Sequence, residues 1–260
     1  MDDPVTDEAM PGGRISGTVR RGATVRRPVR PWTPAVQAVL RHLEKVGFDG
    51  APRVLGMDEQ SREVLTYLDG DTVGDRLPFP PAVRSDSVLA DVGTWLRQLH
   101  DATATFVPPE GATWFAGQAW HRGLVIGHHD AAPYNAVLRG NRLVGFIDWD
   151  TAGPSSRELD LAFSALAWVP LLPPDFVEAQ GFTDVAGRSR RLQILLDAYG
   201  YRGDRAAFGA VVAQRARLNA AGIRRLADTG DPTYLALLPV AHDFDRAARD
   251  LDALPETFWR

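Results

Sequence analysis

Cysteine is absent from the 260 residues, which removes disulfides, thiolate metal sites and a cysteine nucleophile from consideration. Lysine is nearly absent: Lys45 is the single one, and every other strong cation is arginine. Chemistry that needs a fixed cation on a phosphate must therefore use an arginine, Lys45 or bound metal. Long apolar runs are missing too. The most apolar stretch, residues 159–174, contains Asp160 and several prolines, so it is too short and too broken to cross a bilayer. The N-terminus is acidic where a secretory signal needs a basic stretch followed by an apolar one. No membrane role and a reducing, cytoplasmic setting are the expectations. A net charge of −4 lacks the basic surplus of a nucleic-acid binder.

What is present is ordinary for a globular chain: 45% hydrophobic and 24% charged residues. Residues 1–11 are polar and contain proline, and read as a loose tail. Residues 12–27 are short β-prone pieces around glycines, the pattern of a hairpin with a glycine-rich turn. Thr33 as N-cap and Pro34 at the first helical position open a helix. Its Val36, Val39, Leu40 and Leu43 recur at helical spacing. Strands are expected at residues 53–57 and 63–68, so residues 12–70 make a β-rich lobe with one main helix. Residues 71–260 are mostly helical, with candidates at 85–103, 159–168, 188–199, 206–228 and 232–251. The expected fold class is α+β, a small β-rich lobe followed by a larger, mostly helical lobe that carries a hairpin.

That hairpin holds the chemistry. Residues 136–138 and 143–147 are apolar and β-prone, and Gly140-Asn141 between them suits a two-residue turn. Arg139 would then face Arg142, and counting outward sets Asn135 opposite Phe146. Alternation puts Asn135, Phe146 and Asp148 on one face, with Asn135 and Asp148 offset by roughly 7 Å along the strands. An amide oxygen and a carboxylate so placed suit one hard cation such as Mg²⁺, whose shell nucleotide phosphates would complete. Asp130 lies just before, on a loop that Pro133 keeps from being helical. Its carboxylate suits the base that orients an attacking hydroxyl.

The run His128-His129-Asp130, with Asn135 and then Ile147-Asp148-Trp149-Asp150, resembles the catalytic signature of the aminoglycoside phosphotransferase and choline kinase family. The resemblance implies a protein-kinase-like bilobal fold and transfer of the γ-phosphoryl group of ATP, or GTP, to a hydroxyl of a small molecule. It implies Asp130 as catalytic base, Asn135 and Asp148 as Mg²⁺ ligands, and His128 as a structural hydrogen-bonder. Residues 12–19 resemble the glycine-rich loop over the phosphates, with Gly13, Ser16 and Gly17 as its nucleotide-binding members. Residues 65–70 resemble the hinge, where the backbone of Thr66, Tyr67 and Leu68 would meet the base edge. Leu99-His100 is similar to the end of the helix before the catalytic segment. Asp160-Leu161-Ala162 resembles the helix start whose aspartate braces the catalytic loop.

The pattern departs from the family in three places. The usual strand lysine is replaced by Arg26 or Arg27; Arg26 is preferred because Pro28 ends the strand. The usual helix glutamate is missing, since Val36 falls at its position. His129 stands where the family often has glycine or asparagine. These gaps keep open a pseudokinase that binds nucleotide or a partner without turnover. A metal phosphohydrolase built on His129-Asp130 is disfavoured, because such pairs sit on helices. The acceptor, ATP against GTP, and monomer against homodimer are not readable from spacing.

Overall fold

The computed structural model of the chain describes residues 7–10 and 17–260. Its first layer is a five-stranded antiparallel sheet in the order β1-β2-β3-β5-β4. The strands are β1 Glu8–Ala9, β2 Val19–Arg21, β3 Thr24–Pro28, β4 Val54–Met57 and β5 Arg62–Thr66. Glu8 and Ala9 pair with Arg20 and Val19, which corrects the expectation of a loose tail through residue 11. Two residues are too few to carry a hydrophobic alternation, so no sequence signal marked them. Helix α1, Thr33–Lys45, buries Val36, Val39, Leu40 and Leu43. Trp32, not Thr33, is its N-cap residue. Thr33 instead closes a turn over Pro31, its hydroxyl and its N–H both engaged with Arg30.

The remainder is helical, framed by short strands. Helix α2, Asp86–Thr103, starts at Ser85, whose hydroxyl accepts the Val88 N–H. Helix α3, Arg157–Trp168, starts at Ser156 in the same way, through the Leu159 N–H. These caps satisfy donors that a helix start otherwise leaves unpaired. Then follow α4 Pro174–Ala179, α5 Arg188–Tyr199, α6 Arg205–Ala227, α7 Pro232–Leu235, α8 Leu238–Asp252 and α9 Glu256–Trp259. The single helix expected over 232–251 is two helices. Pro239 lacks an N–H and clashes one turn back, so the helix restarts with it in its first turn. Buried alanines on α6 (Ala213, Ala216, Ala220) and on α8 (Ala241, Ala247, Ala248) let the two helices pack closely.

The hairpin forms from β8 Ala136–Arg139 and β9 Arg142–Phe146, with Arg139 facing Arg142. A bulge between Val137 and Leu138 on the register shifts the rest, so Ala136 and not Asn135 faces Phe146. The shared face expected for Asn135, Phe146 and Asp148 is therefore corrected: Val144 is an extra, unpaired residue, and one residue of slip reverses the facing. β6 Asp71–Thr72 extends this sheet beside β8. A separate pair, β7 Val125–Gly127 and β10 Gly153–Ser155, frames the segment that precedes the hairpin.

The hairpin is seated on the first layer by one close approach. Gly145 passes so near Gly50 that a Cβ there would lie 2.3 Å from the Gly50 carbonyl oxygen. That carbonyl accepts the Trp95 indole N–H at 3.0 Å, and the Trp95 ring packs on Phe146 and Phe48 at 4.7 and 5.5 Å. Among the described residues no helix is long and apolar enough to cross a membrane. Gly145→Ala should destabilise the fold by about 1–3 kcal/mol, the usual cost of overpacking, measured by urea unfolding. A variant as stable as the parent would show that the two segments are free to separate.

Candidate active site

Asp160, in the first turns of α3, is 1% exposed and accepts three N–H groups. The backbone N–H of His129 binds it at 2.7 Å, that of His128 at 3.2 Å, and His100 Nε2 at 2.9 Å. Burial alone would raise its pKa, but the His100 bond, the neighbouring imidazoles and the His129 N–H hold it far below the ordinary carboxylate range. Gly127 makes the approach possible, because a Cβ there would stand 2.6 Å from the Asp160 carboxyl carbon. The clasp fixes the loop that leads to Asp130.

His129 adopts a φ of 64°, the left-handed region that favours glycine and asparagine. Arg215 of α6 holds the strained residue from the far side, one guanidinium nitrogen at 2.8 Å from the His129 carbonyl and the other at 3.0 Å from Nδ1. His129 Nε2 then donates to the Gly153 carbonyl. His128 accepts the Asp130 N–H at Nδ1 and donates from Nε2 to the Ile147 carbonyl. Both imidazoles are neutral, pulled down to about 4 chiefly by burial.

Asp130 and Asn135 meet. The Asn135 amide nitrogen donates to the Asp130 carboxylate at 2.9 Å and to its carbonyl at 3.0 Å. Tyr134 donates its hydroxyl to the other carboxylate oxygen. Burial, against the Tyr134 bond and with the nearby Asp148 charge, raises Asp130 to about 7. The amide nitrogen being committed, the oxygen of Asn135 is the atom left to bind a cation. Asn135 sits in a 3₁₀ turn, Pro133–Asn135, and its carbonyl accepts the Ile147 N–H at 3.0 Å.

Asp148 follows Ile147 in a left-handed conformation, φ 60° and ψ 71°, which turns it out of the strand. Its side chain is 45% exposed, and burial of the rest together with the Asp150 charge raises its pKa against the pull of Arg27. Asp150 is buried and ion-paired with Arg27. Arg27 also pairs with Glu63 and stands 3.6 Å from Asp148. Arg26 takes no part. Neighbours on a strand face opposite ways, and Arg26 bonds Thr24 and lies 3.7 Å from Asp58 on the other face. Pro28 pairs with Arg62 and so does not end the strand before it, and Arg27, not the expected Arg26, is the arginine among these carboxylates.

Of the expected nucleotide contacts, Gly13 and Ser16 lie outside the described residues. Gly17 precedes β2 at a φ of 104°, beside Pro28. In the expected hinge, Thr66 donates its N–H to the Arg53 carbonyl and Tyr67 to Ala23. Those two amides are thus already engaged with neighbouring segments. Arg20 stacks over the Tyr67 ring at 3.9 Å. Sequence reasoning missed Tyr134, Gln37, Glu63 and Arg215. Only Tyr134 lies inside the motif; the others depend on pairings between distant segments.

The profile of the phosphotransferase enzyme family matches residues 112–193, the span that contains the Asp160 clasp, the hairpin and the Asp130–Asn135 pair. The chain belongs to this family, and the fold is the protein-kinase-like one of aminoglycoside phosphotransferases and choline/ethanolamine kinases. That family is one of phosphotransferase enzymes. The trifolitoxin immunity protein of Rhizobium leguminosarum bv. trifolii is 40% identical over 194 residues, 73% of this chain and 72% of the relative. A choline/ethanolamine kinase family protein from Mesorhizobium loti shares the fold with a TM-score of 0.57 at 17% identity, over 95% and 92% of the two chains. An amicoumacin kinase, solved with AMP-PNP, Ca²⁺ and its antibiotic, matches with a TM-score of 0.59 at 12% identity, over 97% and 89%.

A hard divalent cation, which this fold family implies, fits the residues present. Asp148, Asp150 and Glu63 surround Arg27, and burial together with the Asp150 charge raises the proton affinity of Asp148. Among the described residues no three His, Cys, Asp or Glu side chains converge on a cation position. The protein then supplies few donors and phosphates the rest, the habit of Mg²⁺.

Neutral His128 and His129 set an acid limit on stability. Below pH 6.5 the unfolded chain protonates both imidazoles, while the folded chain refuses the protons until about pH 4. Their contribution is therefore complete above 6.5 and lost as pH falls to about 4. Urea unfolding should show a loss on the order of 2–5 kcal/mol between pH 7 and 4.5. His129→Asn, which the left-handed backbone accepts, should flatten that slope. Identical slopes in parent and variant would mean that His129 is not buried neutral.

Proposed function

We propose that the chain transfers the γ-phosphoryl group of ATP, with GTP as the alternative donor, to a hydroxyl of a small molecule in a Mg²⁺-dependent reaction. The observation that carries this reading is the Asp130 carboxylate, bonded to Asn135 and raised to about 7 with Asp148 nearby, Asp148 in turn standing 3.6 Å from Arg27. A base is most effective when its pKa lies near the working pH. Asp130 orients the acceptor hydroxyl and takes its proton as the oxygen attacks phosphorus, while Asn135 and Tyr134 keep the carboxylate aimed. Arg27 contributes fixed positive charge, and its planar fork suits phosphate oxygens. Asp148 and the Asn135 oxygen would hold Mg²⁺, which when bound neutralises charge on the phosphates.

Two features support an acceptor of the toxin or antibiotic type. The relative at 40% identity is named for immunity to trifolitoxin, and a structural neighbour is a kinase of amicoumacin. A natural product with an accessible hydroxyl is thus the first class to screen. Aminoglycosides, sugars and amino alcohols follow, since the fold hosts all of them and does not choose.

The pseudokinase reading rested on a missing lysine and a missing glutamate. Arg27 and Glu63 now supply a cation and a carboxylate in the cleft, so turnover is favoured. The test is ADP release and mass detection of a phosphorylated product over an acceptor panel with ATP and Mg²⁺. Asp130→Asn should lower turnover by about two to four orders of magnitude with nucleotide affinity little changed. Undiminished turnover rejects Asp130 as the base, and no product with any acceptor returns the pseudokinase.

A further inference from the structure

The cation of the cleft is held by its own sheet and not by a helix. Arg27 on β3 stands directly opposite Glu63 on β5, and its Nε donates to one Glu63 oxygen. Glu63 is 1% exposed, and its second oxygen accepts the Gln37 amide of α1 at 3.2 Å. Gln37 is itself 9% exposed. The lone acidic residue of α1, Glu44, is exposed, so the helix offers the cleft an amide and no carboxylate. The terminal nitrogens of Arg27 point the other way, toward Asp150 and Asp148.

We propose that Glu63 is the positioning residue that holds Arg27 for the phosphates, doing from the neighbouring strand what a helix carboxylate does elsewhere in the fold. The inference rests on the phosphotransferase reading above. Two consequences follow from the geometry. Residues opposed across a ladder cannot separate without breaking the sheet, whereas a helix can swing away from it. Arg27 therefore keeps its place whatever α1 does, and this chain lacks the helix-driven way of switching the cation. Glu63 and Asp150 together keep the guanidinium from closing on Asp148. Without the pull of Glu63, Arg27 would move toward Asp148 and compete with the divalent cation for it.

The test uses the full chain, with AMP-PNP binding followed by titration calorimetry over a range of Mg²⁺ concentrations and thermal melting alongside. Glu63→Gln keeps the shape and removes the charge. It should weaken AMP-PNP binding about 10- to 100-fold, the usual effect of losing one charged hydrogen bond, and should raise the Mg²⁺ needed for half-saturation. The exchange variant E63Q/Q37E restores a carboxylate to the same network from the helix side. It should recover at least part of the lost affinity, which a purely structural role for Glu63 does not predict. Parent-like affinity and Mg²⁺ dependence in Glu63→Gln overturn the proposal, as does an exchange variant that folds but binds no better than the single one. If Glu63→Gln fails to fold, the exchange variant carries the test: affinity within about tenfold of the parent supports Glu63, and none overturns it. Parent protein that binds no AMP-PNP strikes the phosphotransferase reading itself, a distinct result.

Discussion

A carboxylate removed from water must have its oxygens satisfied, or the fold bears the desolvation cost. Asp160 meets that demand with two consecutive backbone N–H groups from the His128-His129 segment and with His100. Satisfying one buried charge thereby fixes the conformation of the segment, including the left-handed His129. The next residue is Asp130, so its position is inherited from Asp160. His128 then ties the loop to the far strand through the Ile147 carbonyl, one residue before Asp148. Three parts of the site separated in sequence are thus referred to one anchor.

The second constraint is charge. Asp148, Asp150 and Glu63 gather around Arg27, and Asp130 lies near Asp148 with Arg215 behind its loop. Negative charge exceeds positive, and Asp130 and Asp148, more exposed than Glu63 and Asp150, both hold protons more tightly than usual. Such a site is unfavourable when empty of cations and favourable to a divalent ion that arrives with phosphates. Glu63 and Asp150, by contrast, are committed to Arg27.

The local parts of this arrangement were legible in the sequence. The spacing from Asp130 to Asn135 and on to Asp148, the Gly140-Asn141 turn and the amphipathic helices are all short-range patterns. The hairpin register was not, since the extra residue Val144 leaves no compositional mark. Strand alternation was expected to set Asn135 and Asp148 on one face; Asn135 sits instead in a 3₁₀ turn and Asp148 in a left-handed conformation beyond the strand. Arg27 against Arg26 turned on whether Pro28 ends β3, and the pairing with Arg62 extends it. Glu63 and Gln37 escaped notice because the Arg27–Glu63 pair joins residues 36 apart, a contact only the sheet order reveals. β1, β7 and β10 are two or three residues long, below the length at which alternation can be read.

The proposed function requires Arg27, Asp130, Asn135 and Asp148 to act together on a nucleotide triphosphate. A crystal structure of the chain with AMP-PNP and Mg²⁺ tests it most directly. The account predicts phosphates against Arg27, the cation on Asp148 and the Asn135 oxygen, and the γ-phosphate facing Asp130. Phosphates bound away from Arg27, or a cation held without Asp148, would contradict it.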